Sequence, residues 1–140
     1  MKVVLDTNIV VASYLVSTGV AARILALWRA GEFDVLVTEA ILQEYERILG
    51  SPRLVRVHGM TAAEIAEDIE SFRQYALLIE PTETLQVVQG DPDDDKFFEC
   101  AIAGGAAYIV SRDELVLAVG EYRGIRVLSP EAFLTVVGEA

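Results

Sequence analysis

Short runs of β-branched and aliphatic residues alternate along this chain with longer stretches in which apolar positions recur every three or four residues. The short runs read as strands and the longer stretches as amphipathic helices. Their alternation predicts a three-layer α/β/α fold with a mainly parallel central sheet. The first strand covers residues 2–6, an unbroken apolar run ending in Asp6, as expected where both sheet faces are covered. Helices are predicted over residues 9–15 and 20–30, the second stopped by Gly31. Residues 34–37 form a second strand, and Thr38 caps a helix that runs to about residue 49 and ends at Gly50 and Pro52.

Residues 53–60 read as a loop carrying Arg53, Arg56 and His58. Thr61 and Glu64 make a capping box for a helix reaching about residue 76. A short strand over 77–80 is closed by Pro81, and residues 82–90 are expected to be irregular, anchored by Leu85, Val87 and Val88. A helix over 91–103 ends at Gly104 and Gly105. It is followed by a strand over 107–111, a short helix over 113–119 and an edge strand over 125–128. Ser129 opens the terminal helix, with Pro130 at its first position.

With 140 residues and 53% hydrophobic side chains, the chain is long enough for one domain with its own core. No apolar run approaches the roughly 20 residues needed to cross a bilayer. The opening lacks the basic stretch and apolar block of a signal peptide, so a cytoplasmic location is expected. The single cysteine, Cys100, excludes an internal disulfide or a Cys-rich zinc site. It reads as a buried filler rather than a nucleophile, because the only histidine, His58, lies in another segment.

The chain carries 22 acidic and 11 basic side chains, a net charge of −11, which argues against a broad basic surface for nucleic acid. Carboxylates converging on divalent cations would offset part of that charge. An RNA-facing surface would then use few arginines or a partner subunit.

Candidate chemistry lies where apolar runs end in acids, because open parallel sheets bind ligands beyond the carboxyl ends of their strands. Val3-Val4-Leu5-Asp6-Thr7-Asn8 and Tyr108-Ile109-Val110-Ser111-Arg112-Asp113 both end this way. A carboxylate in the position of Asp6 must be paired, capped or metal-bound. Asp113 has a cap as its alternative role. Among Asp91, Asp93, Asp94 and Asp95, Asp91 reads as an N-cap and Asp93 and Asp95 as solvated, leaving Asp94 as a ligand. Glu44, on local grounds, is an ordinary polar position of an amphipathic helix. Hard divalent cations such as Mg²⁺ suit clustered carboxylates, whose repulsion they relieve.

His58 reads as a loop residue, and Arg112 either pairs with an acid or contacts phosphate. Trp28, Phe97, Phe98 and Phe133 sit at helical spacings suited to core or dimer contacts. Leu25, Leu27 and Trp28 give their helix more apolar surface than one face needs, which hints at an interface.

The two strand ends, together with Leu42-Gln43-Glu44-Tyr45 and Asp91-Pro92-Asp93-Asp94-Asp95-Lys96-Phe97, resemble PIN domains in order and spacing over essentially the whole chain. They are most similar to the toxin ribonucleases of toxin–antitoxin pairs, the VapC kind. The resemblance implies endonucleolytic cleavage of RNA with Mg²⁺ or Mn²⁺, a homodimer, and inhibition by a cognate antitoxin. It places Asp6, Glu44, Asp94 and Asp113 as the four catalytic and metal-holding acids, with Thr7 and Ser111 orienting them. Asp94 is favoured over Asp91 and Asp95 because Ala101 stands where the family pattern has an alanine.

Two other functions compete. A phosphotransfer or phosphatase domain also places an Asp after its first strand, but the dehalogenase pattern needs a second Asp where Asn8 stands, and no receiver-type lysine follows a late strand. A catalytically silent PIN-like interaction module is the other, set against the retention of all four acids.

Overall fold

Val3, Val4 and Leu5 are fully buried although successive residues of a strand face opposite sides of the sheet, so both faces of β1 (Lys2–Leu5) are covered. The same holds for Val35, Leu36 and Val37 of β2 (Asp34–Val37). In the computed structural model, which describes residues 1–138, six strands form one sheet. The remaining strands are β3 (Leu77–Leu78), β4 (Tyr108–Val110), β5 (Glu121–Tyr122) and β6 (Ile125–Leu128). Their order is β3-β2-β1-β4-β6-β5, parallel throughout except for the antiparallel β5–β6 pair. Helices flank this sheet, giving the expected three layers.

The helices are α1 (Thr7–Leu15), α2 (Val20–Arg29), α3 (Glu39–Leu49), α4 (Pro52–His58), α5 (Ala62–Tyr75), α6 (Asp95–Gly104), α7 (Glu114–Leu117) and α8 (Pro130–Val136). Thr38 caps α3, and the Thr61–Glu64 box is formed at the start of α5. The Tyr45 hydroxyl of α3 donates to the carbonyl of Leu5, which ties this helix to the carboxyl end of β1. No single described helix is long and apolar enough to cross a membrane. α1 and α2 reach that length only as a pair bent by 102°.

Two expectations about the elements are corrected. Residues 53–60 are mostly helix, not loop. Ser51-Pro52 starts a new element with proline at its first turn, and Gly59, at φ 70°, closes it in the left-handed region. The strand over 125–128 lies inside the sheet, because the chain from residue 121 folds back on it. That hairpin turns at Arg123 and Gly124, both with positive φ (48° and 86°). Of the apolar residues of α2 that suggested an interface, Leu27 is half-buried. Leu25 is buried, and Trp28 stacks on Phe72 of α5 with ring centroids 5.1 Å apart. Phe97, Phe98, Phe133 and Cys100 are core residues, and burial pushes the Cys100 thiol up to about 12.

Candidate active site

β1 and β4 are neighbours, with Leu5 opposite Val110, and the order of the sheet reverses at this pair. Their carboxyl ends therefore open a crevice at a topological switch point. The Asp6 amide donates to the Val110 carbonyl (3.0 Å), which extends the pairing by one residue and delivers the Asp6 side chain into that crevice. Ser111, fully buried, donates its hydroxyl to Asp6 Oδ2 (2.6 Å) and accepts from the Asp113 amide (2.9 Å). One hydroxyl thus links the two strand-end acids.

Asp6 is only 4% exposed, and burial, helped by the nearby charges of Glu44 and Asp113 and opposed by the Ser111 hydrogen bond, pushes its carboxyl up to about 6. Asp94 is pushed up to about 7, first by burial and then by the charges of Asp6, Asp91 and Asp113. Asp94 Oδ2 is shielded from solvent and has no hydrogen-bond partner among the described residues. Carboxylates packed this closely repel one another, and a bound cation would relieve that repulsion.

Glu44 enters from the second turn of α3, where Thr7 Oγ1 donates to its Oε2 and Lys96 Nζ lies 2.7 Å from its Oε1. The structure therefore brings Asp6, Glu44, Asp94 and Asp113 to one end of the sheet. Thr7 donates to Glu44 and Ser111 to Asp6.

The run from Asp91 to Asp95 is arranged differently from expectation. Asp91 makes no side-chain cap. One oxygen from each of Asp91, Asp94 and Asp113 lies within 4.8 Å of the others, so Asp91 joins the acidic group. Asp95 is not solvated: it is 6% exposed, and its Oδ1 accepts from the amides of Val87 (3.0 Å) and Val88 (2.8 Å). The irregular segment before it has backbone donors without a ladder, and this carboxylate satisfies two of them. Replacing Asp95 with alanine should cost about 2–4 kcal/mol, since two sheltered amides lose a charged acceptor at once. Chemical denaturation of parent and variant checks this, and an unchanged midpoint would refute the role. Asp113 uses Oδ1 to cap α7 at the Leu115 amide (2.8 Å), so its cap role and its place in the cluster coexist.

Of the two roles open to Arg112, pairing with an acid is the one found. Arg112 forms a two-pronged ion pair with Glu131 (2.6 and 3.1 Å), away from the acids. His58 has both ring nitrogens engaged within the fold, Nε2 with the Leu49 carbonyl (2.8 Å) and Nδ1 accepting from the Met60 amide (3.0 Å), so it is a structural pin. Lys96 and Asn8 were not singled out in the sequence but border the acids. Asn8 donates to Asp6 Oδ2 (3.4 Å) and accepts from the Arg112 amide (3.2 Å). The only hint of Lys96 was its position one turn after Asp93 on a helix start.

A groove of about 570 Å³ leads away from the acids between α1, α3 and α4. Asp6, Thr7, Asn8, Glu44 and Asp93 line one end, Arg47 and Arg53 add positive charge, and Val11, Leu15, Ile48 and Leu54 form an apolar wall.

The donor set fits a hard divalent cation: all carboxylate oxygens, one of them buried and unpartnered, with no sulfur or imidazole among them. Asp91, Asp94 and Asp113 are the acids placed to share it, with Asp6 close enough to feel the charges of Asp94 and Asp113.

Comparison with known proteins agrees with this geometry. The chain is 25% identical over 127 residues to the uncharacterized protein MJ1680 of Methanocaldococcus jannaschii, a match covering 91% of this chain and 81% of that relative. Residues 2–115, which include Asp6, Glu44, Asp91, Asp94 and Asp113, match the family model of the PIN domain. PIN domains are generally metal-dependent nucleases, and this chain belongs to the PIN domain family.

Proposed function

We propose that the protein is an endoribonuclease that uses Mg²⁺ or Mn²⁺ and acts in the cytoplasm as the toxin of a toxin–antitoxin pair. The observation that carries the nuclease reading is the convergence of four sequence-distant acids around an unpartnered, sheltered Asp94 oxygen at the mouth of a groove bearing arginines. When bound, a divalent cation supplies positive charge to the phosphodiester and acidity to water. Asp91, Asp94 and Asp113 would hold it, with Asp6 beside them. Ser111 fixes the orientation of Asp6, and Thr7 that of Glu44.

A nucleic-acid substrate is favoured by the groove, and RNA as that nucleic acid by the resemblance. Arg53 is exposed and has no ion-pair partner among the described residues, and Arg47 makes only a 3.8 Å contact to Glu44. These two guanidiniums stand where a flanking phosphate would pass, whereas Arg73, Lys96, Arg112 and Arg123 are paired with the chain's own acids. The toxin role, the cognate antitoxin and the homodimer are supported by the resemblance alone.

The test is cleavage of labelled single-stranded RNA by purified protein. Cleavage should require Mg²⁺ or Mn²⁺ and stop in EDTA. Arg53→Ala should weaken RNA binding about three- to tenfold and reduce its salt dependence by about one phosphate contact. RNA left intact by the metal-loaded protein would instead favour the silent interaction module. Cleavage of a phosphate monoester but not RNA would favour the phosphatase.

A further inference from the structure

Glu44 is the one acid of the crevice that is already neutralised by the chain. Lys96 Nζ lies 2.7 Å from its Oε1 and 3.4 Å from Asp93 Oδ1, and also donates to the Asp93 carbonyl (2.6 Å). The other Glu44 oxygen accepts from the Thr7 hydroxyl. Both oxygens are therefore taken by donors of the protein itself. The pair is largely withdrawn from water, with side-chain exposures of 16% for Lys96 and 11% for Glu44, so neither partner is free to swing away cheaply.

The opposite side of the crevice is different. No described lysine or arginine pairs with Asp6, Asp91, Asp94 or Asp113, and there the sheltered Asp94 oxygen lacks any partner. A divalent ion entering on that side meets carboxylates with no cationic side chain of the described residues paired to them. An ion seeking Glu44 must first break the Lys96 contact and then sit beside an ammonium in a pocket that screens charge poorly.

We propose that Lys96 is a resident cation that neutralises Glu44 in place of a second divalent ion, so that the crevice takes one metal ion, on the side of Asp91, Asp94 and Asp113. Glu44 is then not a ligand but the anchor that holds Lys96 facing the site. The inference rests on the reading of this crevice as a metal centre, and the experiment separates the two.

The test counts Mn²⁺ bound at saturation, by native mass spectrometry and by equilibrium titration with electron paramagnetic resonance of free Mn²⁺. The parent protein should bind one ion. Lys96→Met should bind two, because Glu44 becomes available, and Lys96→Met combined with Glu44→Gln should return to one. Lys96→Arg, which preserves the charge, should remain at one. If Lys96→Met does not fold, Glu44→Gln in the parent decides: the single ion should be kept, with its affinity changed by no more than the roughly tenfold expected of a neighbour that is not a ligand. Two ions in the parent, one of them lost in Glu44→Gln, would overturn the inference and leave the metal centre standing. So would a folded Lys96→Met that stays at one ion. No Mn²⁺ binding at all in the parent would remove the metal centre itself.

Discussion

Asp94→Asn is expected to lower the metal-dependent cleavage rate about a thousandfold, because the several kcal/mol of charge stabilisation that a held cation supplies convert to roughly tenfold per 1.4 kcal/mol. The same change should not weaken the metal-free fold. Asp94 sits among Asp6, Asp91 and Asp113, which together with burial hold its carboxyl at about 7, and its Oδ2 has no partner to lose. An uncharged amide of the same shape relieves that repulsion, so the metal-free melting temperature should stay level or rise. Asp93→Asn is the control: this neighbour is 75% exposed, and its side chain meets only Lys96 at 3.4 Å, so most of the activity should survive. Cleavage kinetics and calorimetry on both variants check this. An Asp94→Asn protein that cuts RNA at the parental rate would show that this carboxylate does not hold the metal.

The fold was legible wherever burial on both faces left an unbroken apolar run. The runs of β1, β2 and β4 each supply fully buried residues, so their patterns contained no competing signal. The hairpin from Glu121 to Leu128 was not legible. Its turn places an arginine at positive φ, a position usually marked by Asn or Asp before the glycine, and its first strand has only two residues. α4 was hidden because Gly50 and Pro52 end one helix and begin the next within three residues. Punctuation residues mark a boundary without saying on which side the helix lies.

Within the site, Asp6 and Asp113 were readable because strand ends deliver side chains to a known edge. Asp91 to Asp95 was not, since five consecutive residues on a 3₁₀ turn and a first helical turn point in different directions. Asp95 turns to the amides of Val87 and Val88 while Asp91 turns to Asp94 and Asp113. Only the path of the preceding irregular segment decides which acid serves which purpose. Lys96 was missed for a related reason: its partner Glu44 is far away in sequence, and a lysine on a helix start carries no local sign of burial.

The second large effect concerns pH. Asp6 and Asp94 keep their protons in the fold up to about 6 and about 7, whereas an unfolded carboxyl of this type releases its proton near 3.8. Between pH 4 and 7 the metal-free folded state therefore binds more protons than the unfolded state. The stabilisation from these two groups is complete below the unfolded value and is lost as pH rises through the folded ones. For Asp6 alone this amounts to roughly 2–3 kcal/mol by pH 8. Glu39 and Glu64 have lowered values and act in the opposite direction, but both are fully exposed and their influence falls below pH 5.

A divalent ion replaces the protons, so it should stabilise the protein little at pH 5 and strongly at pH 8. For a chain of this length the difference corresponds to a rise in melting temperature of about 10 °C. Thermal unfolding in EDTA and in saturating Mn²⁺, at both pH values, measures it. In the Asp6→Asn and Asp94→Asn variants, the fall in metal-free stability between these pH values should flatten. A Mn²⁺ shift of equal size at pH 5 and pH 8 would mean that the ion does not compete with the protons on Asp6 and Asp94, and so is held somewhere other than at the carboxyl ends of β1 and β4.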